Sequence, residues 1–220
     1  MLKPSLEEVK QLAKQYNTIP VFYEFSADNQ TPLNIYTAFA KNSKNSFILE
    51  SVSNGVQWDR YSFIGFSPEK EIRMMGNTAE IRSGDAVQIE QVEEPIAFLK
   101  KMLAEYRAPS YPDAPHFTGG LIGYFGYDTV RYVEKRLTNV PEDDIHMPDC
   151  HLFLYEELIA YDHLTSNGIV ILNLHTDGDL GAQYAAATAG VQRSWRTSCG
   201  TTTASLRKHI IRARQWCTPT

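Results

Sequence analysis

Cysteine is scarce in this 220-residue sequence: Cys150, Cys199 and Cys217 are an odd number with no CxxC spacing and no Cys/His ligand pattern. Neither a disulfide framework nor a zinc site is signalled, and a reducing compartment is expected. Long apolar runs are missing too, since the stretch around Gly168 to Leu172 falls far short of the ~20 residues that span a bilayer. The start, Met1 to Glu8, has no basic segment leading into an apolar one, so no secretory signal is read. Together these absences predict a cytoplasmic protein with no membrane partner. Sequence motifs for chemistry are equally sparse: GxSxG, HExxH, GxxxxGK[ST] and a helix-opening GxGxxG do not occur. Six histidines are scattered, and only His146 and His151 approach a ligand spacing, so all six are read as surface or hydrogen-bonded structural residues. No catalytic residue and no metal ligand is predicted.

The chain does have apolar content, 43% hydrophobic against 21% charged, enough for one sizeable core or two small ones. Its net charge of −5 argues against nucleic acid as a partner, but the charge is unevenly placed. Residues 190–220 carry +6 and no acid, whereas residues 1–189 carry −11; two of the three Cys and two of the three Trp also fall in that tail. Val191, Trp195 and Cys199, followed by Thr201 to Thr203, do not sustain a helical apolar stripe. The chain is therefore divided into a domain over 1–189 and an anomalous tail over 190–220. An out-of-frame end is favoured for the tail over a true terminal helix or a basic nucleic-acid arm.

Element signals point to an α+β fold with mainly antiparallel sheet and packed helices. Ser5 with Glu8 forms a capping box for a helix over 5–16. Thr31-Pro32 opens a second helix whose expected face is Leu33, Tyr36, Phe39 and Ala40. Phe47 to Val52 and Arg60 to Phe66 read as neighbouring strands, and residues 71–75, 78–82 and 86–89 as a meander turned at Gly76-Asn77 and Ser83-Gly84-Asp85. Pro95 opens a third helix to Tyr106, followed by a linker containing Pro109, Pro112 and Pro115. His151 to Tyr161 and Gly168 to Leu174 are β-rich runs joined by a tight turn at Asn167-Gly168, and Asp177 or Asp179 caps a last helix through Ala187.

Three places attract attention as chemistry. Glu156-Glu157 sits inside an apolar strand, where adjacent residues face opposite sides and at least one carboxylate must meet a core, a helix or a partner. The segment from Phe117 to Asp128 has four glycines, which mark a bend or close backbone approach; its spacing is wrong for a phosphate cradle. Leu49-Glu50-Ser51, facing Arg60-Tyr61-Ser62, is the best small-ligand candidate: Glu50 and Ser51 can accept from an ammonium group, and Arg60 can hold a carboxylate with its planar fork. That set suits an amino-acid zwitterion, and an ordinary Glu50–Arg60 cross-strand pair is the competing reading.

Several ordered motifs then resemble one family: Phe47-Ile48-Leu49-Glu50-Ser51, Trp58 to Gly65, Phe117 to Asp128 with Arg131-Tyr132 and Glu134, and Asn173 to Gly178. Over residues 5–189 the sequence resembles the N-terminal region of anthranilate synthase component I, the chorismate-using enzyme of tryptophan biosynthesis; component I of aminodeoxychorismate synthase, in folate synthesis, is similar. The resemblance implies a feedback site for L-tryptophan, with Ser51 and Glu50 as its contacts, Leu49 shaping the pocket, and Arg60 and Tyr61 in second rank. It also implies a glutamine amidotransferase partner subunit and Mg²⁺ in the full-length enzyme, which makes anthranilate and pyruvate from chorismate and glutamine-derived ammonia. The family's catalytic chorismate-binding domain is expected beyond this chain, which is read as a truncated product. It is expected to be inactive alone and to aggregate through free edges. The alternatives are a fragment of aminodeoxychorismate synthase component I and a non-catalytic tryptophan-binding regulatory module.

Overall fold

The computed structural model describes residues 2–40, 43–50, 60–134, 136–139 and 142–198. The expected α+β class is what it contains: among these residues ten strands form two five-stranded antiparallel sheets, accompanied by four α-helices. The chain divides into two units, one built from residues 1–67, 107–119 and 156–220, the other from 68–106 and 120–155. The tail residues 199–220 lie outside the described residues.

The first unit opens with α1 (Leu6–Leu12), capped by Ser5 and Glu8 through the reciprocal capping box: the Ser5 N–H donates to the Glu8 carboxylate at 2.8 Å. It ends well before Tyr16, because the Lys14 and Gln15 N–H groups bond three residues back and tighten the turn. Strand β1 (Thr18–Ser26) was not expected. Its first four residues, Thr18 to Val21, are all buried, so no alternation marks the strand, and Pro20 obscures the signal further; it is tolerated because β1 lies at the end of its sheet. Thr31 caps α2 (Pro32–Ala40), its hydroxyl accepting the Asn34 N–H at 3.1 Å. The buried face of α2 is set by Pro32 and Ile35, while Leu33, expected inside, is exposed. Strands β2 (Ser46–Leu49) and β3 (Tyr61–Phe66) pair antiparallel with Leu49 opposite Phe63.

The second unit contains the meander β4 (Lys70–Met75), β5 (Thr78–Ser83) and β6 (Ala86–Gln91). Its two-residue turns have Gly76 and Gly84 at φ of 55° and 59°, the left-handed region that glycine enters without steric cost. Helix α3 (Pro95–Ala104) follows, then β7 (Gly120–Phe125) and β8 (Cys150–Tyr155). The sheet order is β6-β5-β4-β8-β7. Ile72, Met74, Ala79 and Leu152 form its core with Leu99 and Met102 of α3.

The chain then returns to the first unit with β9 (Glu157–Asp162), β10 (Asn167–His175) and α4 (Leu180–Ser198). The run read as one strand from His151 to Tyr161 is thus two, broken at Glu156, with β8 in one sheet and β9 in the other. The β9–β10 turn is residues 163–166, closed by the Asp162–Asn167 pair. Asn167 and Gly168 stand inside β10, where Gly168 lies under the Phe25 ring. The first sheet runs β1-β10-β9-β3-β2, and one face packs Ile19, Val170, Ile159 and Ile64 against Val9, Ile35, Ala187 and Val191 of the helices. Helix α4, capped by the Asp179 carboxylate on the Gly181 and Ala182 N–H groups, extends past the expected end at Ala187. Its Val191 is buried, so this core includes a residue beyond the composition break at 190.

The glycine-rich segment serves packing. A Cβ on Gly123 would lie 2.0 Å from the His151 carbonyl oxygen, and since that neighbour is backbone it has little room to yield. Gly123→Ala is therefore expected to destabilise the second unit by about 2–4 kcal/mol in urea unfolding. Gly84→Ala, where the space is open, costs only the left-handed penalty of about 1–2 kcal/mol.

Candidate functional site

Period-two alternation places Leu49, Tyr61, Phe63 and Asp162 on one face of the first sheet, the face opposite the helices. Residues 107–119, expected to be a linker, pack on this face instead. The Arg107 carbonyl accepts the Asn17 and Thr18 N–H groups, and the Thr118 carbonyl accepts the Asn173 side-chain amide at 2.8 Å. Between these ends Tyr111 meets Phe22, His116 meets Tyr61 and Phe117 meets Phe63, each edge to face, with ring centroids 5.4, 6.1 and 5.5 Å apart. Burial pushes the Tyr111 phenol up to about 12. Phe117 opens the glycine-rich segment read from sequence as a packing bend, but neither it nor His116 and Tyr111 is expected there to face a sheet; their spacing across a proline-rich stretch carries no period that marks a sheet-facing strap.

Arg60 does not pair with Glu50. Its Nε donates to Asp162 Oδ1 at 3.0 Å and its Nη2 to Oδ2 at 2.7 Å, a fork-to-carboxylate pair, while the guanidinium carbon stands 5.0 Å from the Tyr61 ring centre. The two partners differ in setting: the Arg60 side chain is 43% exposed and that of Asp162 only 4%. Burial pushes the Asp162 carboxyl up, but the Arg60 fork, the Leu164 N–H and the Thr165 hydroxyl outweigh it and hold the group below the usual aspartate range. For Tyr61, burial first and the Asp162 carboxylate second push the phenol up. Leu49 is exposed opposite Phe63, and Glu50 follows directly after β2. Ser51 lies outside the described residues.

The other selected motifs act as ties. Glu156, at the break between β8 and β9, meets His175 Nε2 at 2.9 Å, and its carbonyl accepts the Asn173 amide at 2.8 Å. Gln183 of α4 clamps the His175 backbone from both sides, accepting its N–H at 2.9 Å and donating to its carbonyl at 2.8 Å. In the second unit Tyr132 donates to Asp149 Oδ2 at 2.7 Å, which also takes the Gly76 N–H at 2.6 Å. The Cys150 thiol is buried, and burial pushes it up to about 11, so it is no nucleophile at neutral pH. Among the described residues no three or more His, Cys, Asp or Glu side chains converge as metal ligands. No helix among them is long and apolar enough to cross a membrane.

Residues 70–218 match the family model for the chorismate binding enzyme. The chain belongs to this family. It is 40% identical over 187 residues to anthranilate synthase component 1 of Acetivibrio thermocellus, covering 85% of this chain and 37% of that protein. With the Pseudomonas aeruginosa component 1 it is 43% identical over 162 residues, 72% of this chain and 32% of the relative. The crystal structure of anthranilate synthase component I from Streptococcus pneumoniae aligns over 88% of this chain and 36% of that one, at 22% identity and a TM-score of 0.46. The chain thus spans about a third of the length of these curated relatives. Leu49, Glu50, Ser51, Arg60 and Tyr61 all precede the span matched by the family model, and the basic tail falls almost wholly within it.

Because the carboxylate is the buried partner, Arg60→Ala leaves the more costly orphan. It is expected to lower stability by roughly 2–3 kcal/mol, less than for a fully buried pair because Arg60 is partly solvated, and Asp162→Asn by less, since the freed guanidinium reaches water. The folded-state pKa of Asp162 is depressed, so its contribution is complete above the unfolded value of about 4 and is lost as pH falls through the folded one. Urea titrations of both variants and the parent between about pH 7 and pH 3 check the order and the window.

Proposed function

We propose that this chain is the N-terminal, regulatory part of an anthranilate synthase component I and that L-tryptophan binds at the end of β2. The observation that carries the reading is the placement of Leu49 on the same sheet face as the Tyr61, Phe63, His116 and Phe117 rings, with Glu50 next in the chain. An indole needs an apolar, aromatic wall, and an ammonium group needs a carboxylate within reach. Leu49 and Tyr61 supply the wall, while Glu50 and Ser51 accept hydrogen bonds from the ammonium. Arg60 contributes less directly than its residue type suggests. Its Nε and Nη2 are committed to Asp162, which fixes the start of β3 and leaves the Nη1 edge for the ligand carboxylate.

The relatives' similarity over most of the chain supports the assignment to the tryptophan pathway. In this reading the complete enzyme, with a glutamine amidotransferase subunit supplying ammonia, converts chorismate to anthranilate and pyruvate with Mg²⁺. Tryptophan inhibits it by binding one arrangement of the enzyme better than another, the only way a ligand shifts such an equilibrium.

Isothermal titration of the 220-residue protein with L-tryptophan tests the site. Micromolar binding is expected, weakened about tenfold or more in Ser51→Ala and in Glu50→Ala through loss of one acceptor, and little changed in Lys101→Ala of the other unit. An isotherm without heat, or one indifferent to both substitutions, refutes the assignment of the pocket to this chain.

A further inference from the structure

We propose that β6 is a homotypic docking edge, at which a second copy of this chain adds its own β6 antiparallel and continues the sheet of the second unit. This inference is independent of the tryptophan reading. Strand β6 ends the sheet, and every residue of it except Glu90 is exposed. Ser83 and Ala86 close a two-residue turn, and in such a hairpin the closing pair exchanges both ladder hydrogen bonds. The bonds to β5 therefore come from Ala86, Gln88 and Glu90, and the N–H and C=O groups of Val87, Ile89 and Gln91 point away from the sheet. Val87 and Ile89 are also 53% and 65% exposed. Edge strands are normally blunted by Lys, Pro or a bulge; β6 reads Ala-Val-Gln-Ile-Glu-Gln and contains neither Lys nor Pro.

Ladder geometry narrows what fits. Outward-bonding residues must meet outward-bonding residues, so a two-fold axis passes through a residue rather than between two. An axis at Glu90 sets two carboxylates against each other, and one at Ile89 sets Val87 against Gln91. An axis at Gln88 sets each Val87 against the second copy's Ile89, pairs Gln88 with its own copy, and puts each Glu90 opposite the small Ala86. The side chains of Ala86, Gln88 and Glu90 border a cleft of about 560 Å³, which Phe98 and Met102 of α3 line from the other side. Its charged lining is two amines, Lys70 and Lys101, and two carboxylates, Glu90 and Glu105; the amines are the groups that an incoming Glu90 would meet favourably. Such a strand pair buries less than the ~1,200 Å² of a standard interface, so association is weak and reversible.

Sedimentation equilibrium of the full 220-residue chain tests this. Its average mass is expected to climb from monomer toward dimer between about 5 and 500 μM. Ile89→Lys and Val87→Pro, which charge the edge and remove an outward N–H without touching the β5 ladder, are each expected to weaken association at least about tenfold. Val133→Lys, on the exposed segment after β7, leaves it unchanged. A chain monomeric throughout, or association that survives both edge substitutions, overturns the proposal. So does association lost only in Val133→Lys, which assigns the contact to the other segment. If either edge variant unfolds, hydrogen exchange on the unmodified chain decides. Protection of the Val87 and Ile89 amides that rises with concentration supports the pairing, and its absence overturns it.

Discussion

Strand β9 is buried on both faces, with Leu158, Ile159 and Ala160 fully enclosed and Tyr161 and Asp162 nearly so. A strand in that position tolerates charge only if the charge is paired, and of its two carboxylates Glu157 at the start is half-buried while Asp162 at the end is enclosed. The demand for a partner fixes Arg60, which in turn holds the start of β3 and presents Tyr61 beside it. Through the pairing of β3 with β2 the same constraint reaches Leu49. The candidate ligand wall is thus a by-product of neutralising a buried aspartate, and Arg60 can offer a ligand only the Nη1 edge, because Nε and Nη2 are already bonded to Asp162.

Local signals were legible where local physics decides. The capping box at Ser5 and Glu8, the Thr31 cap and the glycines of the meander turns rest on contacts three residues apart or fewer. The failures have tertiary causes. Pro20 hides β1 although it costs nothing at an edge position. The break at Glu156 involves no turn residue; it is imposed by His175 and Asn173, neighbours only after folding. Arg60 finds its partner 102 residues away, so a nearer acid, Glu50, looked the better match. Leu33 and Ile35 of α2 differ only in which side the rest of the sheet presents.

The family motifs also divide by role. Asn173 and His175 hold the crossing at Glu156, Gly123 admits the backbone of β8, and Tyr132 shares Asp149 with Gly76. Recognition of the family from sequence therefore leaned heavily on scaffold residues. The ligand reading rests on the shorter stretch from Leu49 to Tyr61, of which Ser51 lies outside the described residues.

The order of the chain has a consequence for biosynthesis on the ribosome. All of the second unit lies within residues 68–155, whereas the first unit needs β9, β10 and α4, which come after it. A nascent chain can therefore close the inner sheet while β1 still waits for β10, its ladder partner. The earliest-made strand is among the last to be satisfied, and during that interval Ile19 and Val21 are the apolar surface that a chaperone would have to shield.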